Sequence, residues 1–168
     1  DGAGRLPIHI ACSHRLPVEV ILWLLDSDTE KKTILEKDNN GFLPIHIACC
    51  CRLPAEVIRW LLDSEKKAIL EKDGVGRLPI HIACSHRLPA EVIRWLLDSD
   101  TAKKPILEKD GAGRLPIHMA CSHRLPEEVI LWLLDRDTEQ NQIREEGNKG
   151  LRPIKSACCC PVTAECSP

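Results

Sequence analysis

The stretch Arg5-Leu6-Pro7-Ile8-His9-Ile10-Ala11-Cys12 decides the fold, because the chain repeats it. Three further copies differ from it at no more than one position each, and a fourth is degraded. These copies occupy residues 42–49, 77–84, 114–121 and 151–158. Each of the first four copies follows Asp-x-x-Gly and precedes a run close to Pro-x-Glu-Val-Ile-x-Trp-Leu-Leu-Asp. A motif that returns every 35 to 37 residues predicts a solenoid of stacked repeats.

The repeat boundaries follow from this self-alignment. We predict one repeat domain over residues 1–168, with repeats at 1–37, 38–72, 73–109 and 110–146 and a degenerate C-terminal repeat at 147–168. The last repeat carries Arg152, Lys155 and Ser156 at positions where the others have Leu, His and Ile or Met. This polarity is typical of a capping repeat with a solvated outer face. The first repeat has no such polarity, so we expect further repeats or a cap before Asp1.

Within one repeat the pattern predicts a helix, a turn, a second helix and a loop. Pro7 suits the first position of a helix, where its missing N–H is not needed. Pro17 begins the second helix, which carries a broad apolar stripe. The stripe of the first repeat consists of Val20, Ile21, Leu24 and Leu25. The predicted fold class is therefore all-α: an α-solenoid of stacked helix-turn-helix repeats joined by short turns.

One tryptophan recurs beside each stripe, as Trp23, Trp60, Trp95 and Trp132. A single helix pair cannot bury both faces of its apolar stripe, whereas stacked pairs bury them against their neighbours. We therefore expect the four tryptophans to be buried and to carry much of the packing between repeats.

Ten cysteines raise the question of disulfides, and their positions argue against them. Five of them occupy one equivalent slot, as Cys12, Cys49, Cys84, Cys121 and Cys158. Stacked helices lie about 8–10 Å apart, whereas a disulfide needs Cα atoms within about 7 Å. The slot is better explained as a small buried residue, a role that free cysteine fills well. Free thiols indicate a reducing compartment, and we predict a cytoplasmic protein.

The charge balance limits the classes of partner. A formal net charge of -2 gives no overall attraction to nucleic acid or to an anionic membrane. No apolar run approaches the ~18 residues that a membrane-spanning helix needs. We expect neither a nucleic acid nor a membrane as partner.

The repeated residues resemble a known family. The run Asp1-x-x-Gly4-x-Leu6-Pro7-Ile8-His9-x-Ala11 is similar to the ankyrin-repeat signature Asp-x-x-Gly-x-Thr-Pro-Leu-His-x-Ala. The run Glu19-Val20-Ile21-x-Trp23-Leu24-Leu25 resembles the second helix of that signature, Glu-Val-Val-x-Leu-Leu-Leu. The main departure is Leu6, with its equivalents, in place of a threonine whose hydroxyl caps the first helix in the family. The resemblance implies stacked helix pairs more firmly than it implies the details of the connecting turns.

The resemblance also implies a function, since ankyrin repeats bind other proteins through their turn tips and the outer side of their first helices. The matching positions are the second, third, fifth, thirteenth and fourteenth of each repeat. Among them, the expected partner-binding residues are Arg5, Ser13, His14, Asn39, Asn40, Phe42, Arg77, Ser85, His86, Arg114, Ser122 and His123. Phe42 is the only phenylalanine in the chain. At an exposed tip it would be a plausible interface anchor, although a tip that packs on its neighbour explains it equally well.

Arginines recur on the side of the repeats that carries these positions. They are Arg5, Arg77 and Arg114 near the tips and Arg15, Arg52, Arg87 and Arg124 after the first helices. Together they would make this side basic and suit an acidic segment of a partner protein. A solvated face with no such role is the plainer explanation.

The competing function is a thiol-based metal or redox module. Cys50, Cys51, Cys159 and Cys160 stand where the other repeats have Ser-His, and exposed adjacent thiols bind soft metals or sense oxidation. The His9-x-x-Cys12 pair also recurs, but a zinc site needs four converging ligands. Drift at a surface position explains the same residues without a function. The chain lacks a phosphate-binding loop, a nucleophile elbow and a His-Glu-x-x-His motif, so we predict no enzyme and no cofactor.

Overall fold

The computed structural model describes residues 2–28, 32–98 and 104–135. Four helix pairs follow one another in these ranges, and no strand occurs there. The first helices of the pairs are α1 (Pro7–Ser13), α3 (Pro44–Cys50), α5 (Pro79–Ser85) and α8 (Pro116–Ser122). The second helices are α2 (Val18–Ser27), α4 (Ala55–Ser64), α6 (Ala90–Asp98) and α9 (Glu127–Asp135). Short helical turns at Lys32–Ile34 and Lys66–Leu70, and the helix α7 (Lys104–Leu107), lead into the next repeat. The predicted capping repeat lies outside the described residues.

Each first helix begins at its proline and ends in a tight reversal. In the first repeat the Leu16 N–H donates to Ala11 O at 3.1 Å, and Arg15 adopts a positive φ of 51°. This is the helix-ending geometry in which glycine is the usual residue. A side chain in that conformation costs about 1–2 kcal/mol, and a cation at a helix C-terminus returns only about 0.3–1 kcal/mol. The turn is therefore formed at a net cost.

The helices stack in two rows. Each first helix packs against the first helix of the next repeat, and each second helix does the same. One continuous core fills the space between the rows. Ile58, Leu61 and Ile93 are fully buried there. Ile34, Ile69 and Ile106, which lead into the following repeat, are also buried. The predicted all-α repeat solenoid is confirmed, and none of the helices in the described ranges is long and apolar enough to cross a membrane.

The recurring cysteine slot is confirmed as a buried one. Cys12, Cys49, Cys84 and Cys121 are buried, and none of them forms a disulfide. Burial raises the pKa of Cys12 and of Cys84 to about 12, so these thiols stay protonated and unreactive at neutral pH. They fill small spaces between first helices, as the repeat pattern predicts.

The tryptophans are less buried than the sequence predicts. Trp60, Trp95 and Trp132 are only half-buried, and Trp23 is 67% exposed. An arginine of the preceding repeat lies over the ring of Trp95 and over that of Trp132. The Arg59 guanidinium lies 4.8 Å from the Trp95 ring centroid, and Arg94 lies 5.5 Å from that of Trp132. No described repeat precedes Trp23, so it lacks such a cover. Aliphatic residues of the stripes, rather than tryptophans, carry the core.

Replacing Trp95 by alanine should therefore cost about 2 kcal/mol, because half of a large ring and its cation–π contact are lost. The same change at Trp23 should cost less than about 1 kcal/mol. Urea denaturation of the two variants measures both values. Equal losses at the two positions would contradict the burial described here.

Candidate functional site

Each repeat opens with a tight turn, here called a tip, that occupies residues 38–42, 73–77 or 110–114. Its first residue is a buried aspartate. The Asp73 carboxylate accepts hydrogen bonds from the backbone N–H groups of Val75 and Arg77, at 3.0 and 2.8 Å. The other two aspartates make the same pair of bonds. The turn is thus held from inside by a carboxylate, a role that Asp performs well in turns.

Neighbouring tips are joined through their backbones. The second residue of each tip donates its N–H to the carbonyl of the third residue of the tip before. The bonds are Asn39 to Ala3 at 3.0 Å, Gly74 to Asn40 at 3.1 Å and Gly111 to Val75 at 3.1 Å. Glycine is required where the tips meet: at Gly41, with φ at +76°, a Cβ would lie 2.6 Å from the Gly74 nitrogen. The tips therefore form one continuous, rigid row.

Although their backbones are joined, the neighbouring tips of the second, third and fourth repeats border two grooves. The first has a volume of about 700 Å³ and runs between Asn40 and Phe42 on one side and Val75 on the other. The second, of about 640 Å³, runs from Val75 and Arg77 to Arg114. Val75 borders both grooves and is 61% exposed. The two grooves therefore share one exposed apolar side chain at their common border.

The arginines at the tips are not free charges. Arg77 Nε lies 2.9 Å from Asp73 Oδ2, and an Arg114 guanidinium nitrogen lies 2.8 Å from Asp110 Oδ2. Burial alone would raise the pKa of Asp110, but the hydrogen bonds that Arg114 donates hold it below its usual value. Arg77 and Arg114 are thus each ion-paired with the buried aspartate of their own tip. The prediction that these two arginines make the surface basic is corrected: the tips at 73–77 and 110–114 carry no net charge.

Phe42 is half-buried rather than exposed at the tip. The Arg77 guanidinium of the next repeat lies 5.9 Å from the Phe42 ring centroid, and the His46 ring meets it edge-on at 6.2 Å. The alternative in which this tip packs on its neighbour is the one found. One edge of Phe42 still lines the first groove.

The predicted partner-binding residues fall into two groups at opposite ends of the first helices. Arg5, Asn39, Asn40, Phe42, Arg77 and Arg114 lie at the tips, before the helices begin. The second group comprises Ser13, His14, Ser85, His86, Ser122 and His123, where the helices end. Ser13 and Ser85 turn inward, since each hydroxyl donates to the carbonyl three residues before it at 3.0 Å. The His86 and His123 rings contact the helix carbonyls four residues before them. A seven-residue helix of about 10 Å separates the two groups.

The cysteines of the alternative function are less exposed than the sequence predicts. Cys50 and Cys51 are half-buried, and the Cys51 thiol donates a weak hydrogen bond to Ser13 O at 3.9 Å. Burial raises the pKa of Cys50, which disfavours the reactive thiolate. Within the described ranges no three His, Cys, Asp or Glu side chains gather into a group able to hold a metal ion. Cys159 and Cys160 lie outside those ranges.

The repeated histidine ties the start of its own helix to the backbone at the tip of the next repeat or just before that tip. In the second repeat, His46 Nδ1 accepts the Leu43 N–H at 3.0 Å, and Nε2 donates to Glu71 O at 3.0 Å. His9 and His81 make the same two kinds of bond. The ring thereby caps the backbone at the start of the helix, where the leucine has no hydroxyl to do so. Burial lowers the pKa of His46 and of His81 to about 4, so both rings are neutral at physiological pH.

Comparison with known proteins agrees with this geometry. The sequence matches the profile of ankyrin repeats, in three copies, over residues 54–144, which is more than half of the chain. The chain belongs to the ankyrin repeat family.

A solved structure shows the same fold. The ankyrin repeat domain of Bcl-3, described as a unique member of the IkappaB protein family, superposes with a TM-score of 0.73 and 24% sequence identity. The match covers 92% of this chain and 65% of that one, so the present chain spans about two thirds of the length of the Bcl-3 domain. At this identity the likeness establishes the ankyrin fold alone. No curated protein matches the sequence.

Sequence reasoning missed two features of the site. Val75 belongs to the set of tip positions derived from the ankyrin signature, but nothing distinguished it there. Its signal is that the equivalent tip positions hold Ala3, Asn40 and Ala112, so only this tip presents a β-branched apolar side chain. The pairing of Arg77 with Asp73 also escaped prediction, although their i, i+4 spacing recurs at Arg114 and Asp110.

Proposed function

We propose that this chain is a protein-binding module whose partner lies along the row of tips. The observation that carries the proposal is the backbone ladder that joins consecutive tips. A surface that is already ordered spares the partner the entropic cost of ordering it, so a small contact area can give useful affinity. Membership of the ankyrin family supports binding rather than catalysis.

The centre of the proposed contact is Val75, with one groove on each side of it. Asn40 stands exposed across the first groove, and amide side chains can both donate to and accept from a partner's backbone. The second repeat differs from the others mainly at its tip and at the end of its first helix. A partner that recognises this difference would have one preferred register on an otherwise periodic surface.

The proposed partner is neutral and apolar where it meets these tips. Arg77 and Arg114 are each neutralised by a buried aspartate, so a carboxylate there would gain little. An acidic segment of a partner, which the sequence predicts, needs arginines that have no such pair. Those lie elsewhere, at the ends of the first helices.

The test is a comparison of two matched variants. V75D places a carboxylate between the grooves, whereas L131D places one on an exposed leucine of α9, 53% exposed and away from the tips. Partners captured by the wild-type chain from a lysate of its source cells are quantified by mass spectrometry for both variants. We expect V75D to lose a specific partner that L131D retains. A partner set that is identical for both variants would contradict the proposal.

We also propose that the protein works in a reducing compartment such as the cytoplasm. Cys12, Cys49, Cys84 and Cys121 are buried and form no disulfide, and an oxidising compartment would select against so many such cysteines. Titration with a thiol reagent, before and after denaturation, should show that these four react only when the chain unfolds.

A further inference from the structure

Four arginines share an unusual backbone conformation. Arg15, Arg52, Arg87 and Arg124 follow the four first helices, and their φ angles are 51°, 53°, 56° and 54°. They are the only non-glycine residues with positive φ among the residues that the structure describes. The fold itself would be served better by glycine, which adopts this conformation without strain.

The second repeat makes the choice of arginine informative. It has Cys50-Cys51 where the other repeats have Ser-His, yet Arg52 follows in the same strained position. The neighbouring positions have therefore changed while the costly one has not. Residues held in strained backbone conformations cluster at functional sites, so the four arginines are candidates for a binding role.

The four arginines form an exposed row, here called the arginine row, on the edge of the stack opposite the tips. All four side chains are exposed, and none forms an ion pair with any part of the chain that the structure describes. The Arg87 guanidinium donates one hydrogen bond to Arg124 O at 3.3 Å, which turns it along the row toward the next repeat. Its remaining N–H donors are available to a ligand.

We propose that the arginine row binds an extended acidic segment of a partner protein, with a carboxylate at about every third residue. Consecutive repeats lie about 10 Å apart, and a polyproline II segment advances about 3.1 Å per residue with about three residues per turn. Side chains three residues apart on such a segment lie on one face and would therefore reach successive arginines. Arginine is suited to this role because its planar guanidinium binds a carboxylate through two parallel hydrogen bonds.

The glutamates beside the arginine row disfavour a partner with contiguous negative charges. Glu19, Glu56, Glu91, Glu127 and Glu128 are exposed in the first turns of the second helices, a few residues from the arginines. A continuous run of negative charge would face these glutamates as well as the arginines, whereas spaced carboxylates can avoid them. Nucleic acid is disfavoured further, because the connections between the paired helices contain no Trp, Tyr or Phe on which bases could stack.

This surface is separate from the tips and its test is independent of theirs. The probe is a fluorescein-labelled peptide of six Gly-Ser-Glu units, compared with a peptide of the same composition whose six glutamates are contiguous and with a single-stranded oligonucleotide. Binding is measured by fluorescence anisotropy at two salt concentrations. The variant R52G/R87G removes two charges and relieves two strained residues. The control R59Q/R94Q removes two charges from exposed arginines of the second helices.

We expect the spaced peptide to bind most tightly and to weaken with salt. R52G/R87G should lower its affinity about tenfold or more while the melting temperature stays level or rises, and R59Q/R94Q should leave the affinity unchanged. The proposal is overturned by any of three results. These are no binding of the spaced peptide, equal affinity of R52G/R87G and wild type, or tighter binding of the contiguous peptide or the oligonucleotide.

Discussion

Lowering the pH from 7 to 5 should reduce the free energy of unfolding by about 4 kcal/mol. The cause lies in the buried histidines that join the repeats. His46 and His81 each accept a backbone N–H at Nδ1, so a second proton on the ring would break that bond. Burial holds the pKa of both at about 4, below the ordinary histidine value of 6.5. Urea denaturation at pH 7, 6 and 5 measures the effect.

The sign follows from the direction of the shift. At pH 5 the unfolded histidines are almost fully protonated and the folded ones are almost fully neutral, so protons stabilise the unfolded state. The stabilisation from each ring is complete above about pH 6.5 and is lost as the pH falls through 6.5 toward 4. The loss amounts to about 2 kcal/mol per ring at pH 5. The lowered pKa of His9 acts in the same direction. The lowered pKa of Asp110 acts only below its ordinary value of 3.8, outside this window.

Two variants separate this explanation from general acid sensitivity. H14Q removes an exposed histidine and should leave the pH dependence unchanged. H46Q/H81Q should be less stable at pH 7 but should lose much less stability between pH 7 and 5. A wild-type free energy of unfolding that is constant over this range would contradict the buried, neutral state of the histidines.

Replacing Gly41 by alanine should destabilise the chain by about 2–3 kcal/mol. About 1–2 kcal/mol comes from a side chain at positive φ, and about 1 kcal/mol from the lost hydrogen bond between neighbouring tips. The bond is lost because the new Cβ would lie 2.6 Å from Gly74 N, which donates to Asn40 O. The measurement is the free energy of unfolding in urea.

The matched control is G2A, in the turn that precedes α1. A Cβ at Gly2 meets no atom within 4 Å, so this change should alter stability by less than about 0.5 kcal/mol. If G41A were as stable as G2A, the tips would not be joined as described. G41A tests the rigidity of the tips, and V75D tests direct contact with a partner. If both variants weakened partner binding but only G41A lost stability, rigidity and contact would each contribute to the affinity.

The sequence predicts the fold well because the same local signals recur in each repeat. The prolines at the helix starts, the buried cysteine slot and the aliphatic residues leading into each repeat all recur in register, and each local preference agrees with the stack. The partial burial of the tryptophans could not be predicted from these signals. Hydrophobicity places Trp95 beside the stripe, but only the stacking geometry shows that Arg59 of the preceding repeat covers the ring.

The site was harder to predict because it depends on contacts between repeats. Sequence position places Arg77 at a tip, and its charge suggests a basic surface. The buried Asp73 that neutralises it is four residues away, and its burial depends on how the tip folds. The arginines of the tips and those of the arginine row also look alike in sequence. They lie on opposite edges of the stack because a helix separates them. Among the described residues Arg77 forms an ion pair, whereas Arg52 forms none.

The central claim is that consecutive repeats form one rigid stack whose tips are joined. Hydrogen exchange followed by NMR tests it most directly, at the amides of Gly74 and Gly111, which donate to the tip before them. We expect both amides to be strongly protected, as the helical amides of α3 and α5 are, because a shared backbone ladder opens only when the repeats separate. Exchange of the two amides at the rate of an unfolded peptide, while α3 and α5 remain protected, would contradict the claim.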